Sequence, residues 1–301
     1  MDGLVLVHLE GAPMTDAGFW ASWIFWRDPM VVAIIAAALC SFVGVYIVLK
    51  RIVFVSAAMS QMSGVGVAFA FFLCGVFAVD PHHAPFYLHP VPWAIAAAAV
   101  VARVFSGNLG NRRLSGESVI GIAYLVAAAG VILILNSPHV TQEAHEVNDL
   151  LYGNAVAVPP EQLYIMSAAA VVVALVHGLY GKEFVFTAFD PEMARTLGLR
   201  TGFWSLLLFL TFAVAISVST RAIGALPVFA FTVIPPAAAL LVASRMWSAF
   251  AIAVGIAVAS AFIGYWASWQ WQLPTGASMV IVTALFLLLA APRLAFMKRK
   301  R

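Results

Sequence analysis

Long apolar runs dominate this chain, and they restrict it to a fold that is solvated by lipid. Hydropathy places about nine of them, near residues 30–49, 53–78, 86–106, 117–136, 162–180, 203–220, 225–243, 248–267 and 276–292. Each approaches the roughly 20 residues that a helix needs to cross a bilayer. Charged residues make up only 10% of the chain, against roughly 25% in soluble domains. We therefore predict an all-α polytopic membrane protein with about nine transmembrane helices (roughly 8–10).

Prolines interrupt two of these runs. Pro90 and Pro92 lie in the third run, and Pro227, Pro235 and Pro236 lie in the seventh. A proline removes a backbone donor and clashes with the preceding turn. We therefore expect the seventh run to be broken or re-entrant, which is tolerated only where protein or a cavity covers the freed backbone.

Basic residues predict the orientation. With the N-terminus outside and the C-terminus inside, every Lys and Arg except Arg27 and Arg221 falls on the inner side. Residues 1–29 then form an extracytoplasmic or interfacial segment, 30–292 the transmembrane domain, and 293–301 a basic cytoplasmic tail suited to anionic lipid. The net charge of +3 therefore reflects topology and gives no reason to expect nucleic acid as a partner.

A polar island at 182–202 separates two apolar runs on the inner side. Asp190 is a good N-cap, Pro191 suits the first helical position, and Gly198 suits the residue after the end. The pattern predicts a short capped helix over Pro191–Leu197, outside the bilayer. In a membrane protein, a capped helix outside the bilayer usually forms the contact with a binding partner.

Common catalytic and energy-coupling motifs are missing from the sequence. It has no G-x-x-x-x-G-K-S/T phosphate loop and no H-E-x-x-H or G-x-S-x-G motif. The spans hold almost no central carboxylate, which proton-coupled carriers usually need. These observations argue against a membrane enzyme and against a carrier that powers itself. They leave a passive pathway or one driven by another subunit.

Four segments, in order, resemble the permease subunits of metal-type ABC importers, which take up zinc, manganese or iron(II). They are Leu49–Ala70, Asp149–Leu163, Lys182–Leu199 and Ile223–Arg245. The resemblance implies an ABC importer permease fold with a cytoplasmic coupling helix, in a homodimer in the bacterial inner membrane. It also implies cytoplasmic ATPase subunits that hold ATP and Mg, and an extracytoplasmic substrate-binding protein. No cofactor is then expected on this chain.

The resemblance also suggests site residues. Contact with the ATPase is implied for the segment that contains Phe189, Asp190, Pro191, Glu192, Met193, Ala194, Leu197 and Gly198. In the second span of the family, an Asp and a His four residues apart typically line the metal path. The matching positions here are Ala57 and Gln61, so this chain lacks the pair.

The candidate translocation pathway therefore rests on weaker groups. Its residues are Ser56, Ala57, Ser60, Gln61 and Met62. The thioethers of Met59 and Met62 favour soft ions such as copper(I) if they bind a metal, and the alternative is that both only pack. Five outer histidines are candidate metal ligands, or else belong to solvated loops: His82, His83, His89, His139 and His145.

We therefore expect a permease subunit of a binding-protein-dependent ABC importer for a transition-metal ion, working by ATP-driven alternating access. The missing Asp/His pair keeps a metal chelate or another small solute open as cargo. An alternative from another class is a non-transporting membrane enzyme or scaffold, which would need an inward-facing catalytic cluster.

Overall fold

Helices form all the regular structure in the part of the chain that the computed structural model describes, residues 23–79, 85–107, 115–138, 140 and 160–290. This confirms the predicted all-α class. The helices are α1 (Trp23–Leu49), α2 (Phe54–Phe77), α3 (Pro90–Phe105), α4 (Gly116–Leu135), α5 (Pro160–Phe189), α6 (Pro191–Thr196), α7 (Thr201–Ile223), α8 (Ala225–Val242), α9 (Met246–Trp271) and α10 (Thr275–Ala290).

Each predicted apolar run corresponds to one helix. Among the described residues, seven helices are long and apolar enough to cross a membrane, whereas α3 and α10 are shorter apolar helices. Helix α3 is short because His89 caps it and Pro90 occupies its first position. Helix α1 begins at Trp23, before the predicted span at 30 and inside the predicted N-terminal segment. The tail at 293–301 lies outside the described residues.

The polar island does not begin with a loop. Helix α5 has non-helical angles at Tyr180 (φ −119°, ψ 19°), where the predicted span ends, and then continues to Phe189. Phe184 and Ala188 of this extension are buried against the bundle. Because tertiary packing keeps the extension helical, the island is a helical arm with a short second helix, α6, after it.

The predicted break at the prolines is wrong. Pro235 and Pro236 lie inside a continuous α8, and the break falls at Gly224, the one residue between α7 and α8. Gly224 has φ 86° and ψ 163°, a region that is essentially restricted to glycine. The residues on both sides, Ile223 and Ala225, are buried. This irregular backbone is therefore covered by protein, as the membrane requires.

Helix α1 supports the proline-containing part of α8. Because Pro236 has no N–H, the Thr232 carbonyl loses its helical donor. Gly44 of α1 packs against this carbonyl so closely that a Cβ at Gly44 would overlap it. Helix α1 also packs on α5, α7 and α9, while α2 packs on α3, α4 and α7. Of the seven spans, α1 and α7 are the most buried.

We predict that Gly44→Ala destabilises the protein by about 1–3 kcal/mol, because the added methyl must displace backbone. The matched control is Gly255→Ala in α9, where an added Cβ meets nothing within 4 Å. Thermal unfolding in detergent measures both. Equal melting temperatures for the two variants would contradict the close approach of α1 and α8.

Candidate functional site

The short helix α6 is defined by hydrogen bonds at both ends. One Asp190 carboxylate oxygen accepts the N–H groups of Glu192 (3.1 Å) and Met193 (2.9 Å). At the other end, Gly198 takes φ +80°. Its N–H donates to the Arg195 carbonyl, and the Leu199 N–H donates to the Ala194 carbonyl, both at 3.0 Å. These two bonds form a Schellman motif, so the predicted capped helix is present and ends at Thr196.

One side of α6 anchors it while apolar groups remain exposed. Ala194 is fully buried, whereas Phe189, Met193 and Leu197 are 71%, 54% and 60% exposed. The three exposed residues recur at intervals of four, which places Met193 and Leu197 on one face of α6. Exposed apolar groups that are rimmed by charge mark interaction surfaces. This arrangement suits insertion of α6 into a groove of another protein.

Helix α6 is also joined to the long helices around it. It follows α5 after a single residue, Asp190, and the Arg195 guanidinium Nε donates to the Thr201 hydroxyl of α7 at 3.1 Å. At the far end of α7, the Thr220 hydroxyl lies 2.7 Å from the Ser60 hydroxyl of α2. These polar contacts link the exposed helix to the second span.

The candidate pathway residues on α2 divide between two faces. Ser56 and Ser60 are buried inside the protomer, and the Ser56 hydroxyl donates to the Val53 carbonyl at 2.9 Å. Ala57 and Gln61 are only half-buried and lie one helical turn apart on a neighbouring face. The two serines are therefore more deeply buried than Ala57 and Gln61.

The methionines of α2 pack against apolar side chains. Met59 is fully buried in the main hydrophobic core, and Met62 is half-buried against the same core. Both positions agree with packing as their role. Of the candidate pathway residues, Ala57, Gln61 and Met62 are thus half-buried, whereas Ser56 and Ser60 are buried.

Ala57 lines a cavity of about 510 Å³ between α2, α4 and α8. The cavity walls include Phe54 and Phe229, whose rings stack with centroids 6.1 Å apart. Glu117 and Tyr124 of α4 also line it. The sequence reasoning missed Glu117, because an acid in the first turn of a helix is ordinary there. Only the packing of α4 on α2 reveals its proximity to Ala57.

His89 is the outer histidine that the structure describes. Its Nδ1 accepts the Val91 N–H at 3.4 Å and so caps α3. Burial lowers the pKa of His89, the positive charge of Arg221 lowers it further, and Glu161 opposes both effects. The lowered pKa disfavours the charged imidazole, and the nearby positive charge of Arg221 also disfavours a bound metal ion.

The other four candidate ligands, His82, His83, His139 and His145, lie outside the described residues, so metal capture by them stays a prediction. Within the described ranges, no group of three or more His, Cys, Asp or Glu side chains is placed to hold a metal ion.

Comparisons with known proteins cover nearly the whole chain. The profile of the ABC 3 transport family matches residues 23–293. The manganese import system permease protein ScaB of Streptococcus gordonii is 24% identical over 280 residues, which cover 92% of this chain and 95% of ScaB. The manganese transport system membrane protein MntC of Listeria monocytogenes is 26% identical over 282 residues, with the same two coverages.

Two solved structures share the fold. PsaBC from Streptococcus pneumoniae, in complex with Fab, superposes with a TM-score of 0.79 at 20% identity and covers 95% of this chain and 100% of the matched chain. A transporter described as metal-chelate type, in an inward-facing conformation, gives a TM-score of 0.64 at 15% identity and covers 97% and 92%. Both similarities support the permease fold.

We predict that Asp190→Ala loosens α6 locally, because two helical N–H groups lose their acceptor at a cost of about 1 kcal/mol. Amide hydrogen exchange over 191–199 should accelerate about fivefold, which corresponds to that energy. Asp190→Asn keeps an accepting oxygen and should exchange like the wild type. The cap would be unimportant if the alanine and asparagine variants exchange at the same rate.

Proposed function

Since the chain belongs to the ABC 3 transport family, we propose that it is the permease subunit of a binding-protein-dependent importer for a transition-metal ion, with manganese as the first cargo to test. The observation that carries the proposal is the capped helix α6, which exposes Met193 and Leu197 beyond the spans. The names of the relatives ScaB and MntC support manganese. Membership in a transport family also argues against the non-transporting enzyme or scaffold.

The proposed assembly is a homodimer in the bacterial inner membrane. ATPase subunits on the cytoplasmic side hold ATP and Mg, and a substrate-binding protein delivers cargo on the opposite side. The sequence lacks a phosphate loop, which agrees with energy supplied by a separate chain. The apolar groups on α6 provide the surface that an ATPase groove needs.

Coupling follows from the contacts that connect α6 to α2. When the ATPase subunits close, they displace α6. The Arg195–Thr201 contact transmits the displacement to α7, and the Thr220–Ser60 contact transmits it to α2. Movement of α2 then changes access to the face that carries Gln61. In this scheme Ser60 contributes to coupling through its contact with Thr220.

The proposed route passes the face of Ala57 and Gln61 and the adjoining cavity. Without the Asp/His pair, this face holds a bare divalent cation weakly, and Glu117 offers the nearby carboxylate that α2 lacks. The same cavity has largely apolar walls. That observation favours a second candidate cargo, a metal chelate or another small solute, which gains more from apolar contact than a bare ion does.

The docking role of α6 can be tested by reversing the charge at Glu192 and adding a charge at the exposed apolar residue Met193. Glu192→Arg with Met193→Asp places a new charge in the apolar contact and should reduce ATP-driven uptake in proteoliposomes by about tenfold. The matched control is Leu273→Asp, because Leu273 is 49% exposed in the turn between α9 and α10. Full uptake and full substrate-stimulated ATPase activity in the double variant would refute the docking assignment.

The proposed route predicts that substitutions at Gln61 and Met59 of α2 have different effects on uptake. Gln61→Leu removes the half-buried amide and should slow uptake of the native cargo by about tenfold. Met59→Leu preserves apolar volume in the core and should leave uptake nearly unchanged. Initial uptake rates in proteoliposomes with the ATPase provide the comparison. The reverse pattern would move the pathway to a soft, methionine-lined face.

The orientation can be tested with single cysteines. Tyr87, between α2 and α3, and Lys182, after the kink of α5, are both exposed. In intact cells, a membrane-impermeant thiol reagent should label a cysteine at 87 and miss one at 182, because basic residues concentrate inside. Background should be low, since the native thiols of Cys40 and Cys74 are buried. Labelling of the cysteine at 182 alone would show that the topology is the reverse of the predicted one.

A further inference from the structure

A second cavity, of about 460 Å³, lies where the α1–α2 turn meets the ends of α3 and α5 and the first half of α7. Lys50 and Arg51 supply its cationic groups, and Phe105 and Phe209 supply aromatic wall. Phe189 and Pro191, which flank the cap of α6, also line it. The cavity therefore combines positive charge with apolar surface beside the coupling helix.

Lys50 is a partly buried cation that forms no ion pair with an acidic side chain among the described residues. Its ammonium donates to the Thr187 carbonyl at 3.3 Å and lies 6.0 Å from the centre of the Phe209 ring. Within the described ranges, the side-chain ion pair that the structure shows joins Arg27 and Asp28, near the start of α1, and does not involve Lys50. Burial lowers the pKa of Lys50. A partly buried cation is stabilised by a nearby anion.

Arg51 lies in a backbone conformation that favours glycine. Its φ is +56°, and the turn is held by bonds from the Arg51 N–H to the Val48 carbonyl (3.0 Å) and from the Ile52 N–H to the Ile47 carbonyl (3.2 Å). An arginine pays a conformational cost here that glycine avoids. Arg51 lines the cavity, and a guanidinium group there suits phosphate, which such groups bind in a bidentate manner.

We propose that this cavity binds an anionic phospholipid, with the lipid phosphate between Lys50 and Arg51 and the glycerol and first acyl carbons against Phe105 and Phe209. A soluble anion would use the two charges but gain nothing from the aromatic wall. The cavity lies at the ends of several spans, the level at which lipid headgroups are found. Basic pockets between helices on the cytoplasmic side suit such headgroups.

The position of the site gives the lipid an effect on transport. Phe189 and Pro191 form part of the same wall, so a bound lipid supports the segment from which α6 projects. Lipid binding itself does not depend on the identity of the cargo or on the ATPase. It can therefore be measured on the purified permease, separately from the proposed function.

The test measures the dissociation constant of short-chain dioctanoyl phosphatidylglycerol by native mass spectrometry of the detergent-solubilised permease. Lys50→Met keeps the alkyl stem over Phe209, and Arg51→Gly suits the positive φ, so the double variant should remain folded. Each cation near an anionic headgroup is worth about fivefold in binding, so the double variant should bind about thirtyfold more weakly. The control Lys182→Met removes an exposed cation outside the cavity and should bind like the wild type.

Competition separates the possible sources of the anion. Dioctanoyl phosphatidylcholine, inorganic phosphate and glycerol phosphate should each compete poorly, because the first lacks net negative charge and the others lack acyl chains. Equal competition by inorganic phosphate would replace the lipid with a soluble anion. Unchanged lipid affinity in the folded double variant would overturn the site. If that variant instead loses only its assembly with the ATPase, the two cations contact protein and the lipid proposal is wrong.

Discussion

The absence of hydrogen-bonding partners in hydrocarbon is the constraint on which this structure depends. Every backbone group in the spans must be paired within a helix or covered by protein. Two departures from ideal helix, at Gly224 and at the proline pair of α8, occur where such cover exists. Gly224 lies between buried neighbours, and the carbonyl that Pro236 leaves without a donor faces Gly44. The close approach of α1 and α8 thus allows a proline pair to remain inside an apolar helix.

The same packing gives the molecule a continuous connection from its exposed helix to its interior. Helix α6 is held by its caps, by its junction with α5 and by one hydrogen bond to α7. Helix α7 is bonded in turn to α2 through two hydroxyl groups. The cavity at Ala57 and the cavity at Lys50 both border elements of this connection. An event at α6 therefore has a physical path to the face of α2 that carries Gln61.

The sequence predicted features that local chemistry determines. Asp190, Pro191 and Gly198 specified α6 almost to the residue, because caps and positive φ act within one turn. The apolar runs specified the helices, because the membrane imposes their length. Features that depend on tertiary packing were not predictable. The extension of α5 beyond Tyr180, the break at Gly224, and the proximity of Glu117 to Ala57 all require contacts between distant segments.

The measurement that tests the central claim most directly is manganese accumulation inside proteoliposomes that contain the permease. The ATPase subunits and ATP are enclosed in the vesicles, and the binding protein is added outside. The account predicts accumulation against a gradient only when permease, ATPase, binding protein and hydrolysable ATP are all present. Omission of the permease or replacement of ATP by a non-hydrolysable analogue should abolish it. If the complete system hydrolyses ATP but accumulates no manganese, zinc or iron(II), the chain is not a metal-ion permease.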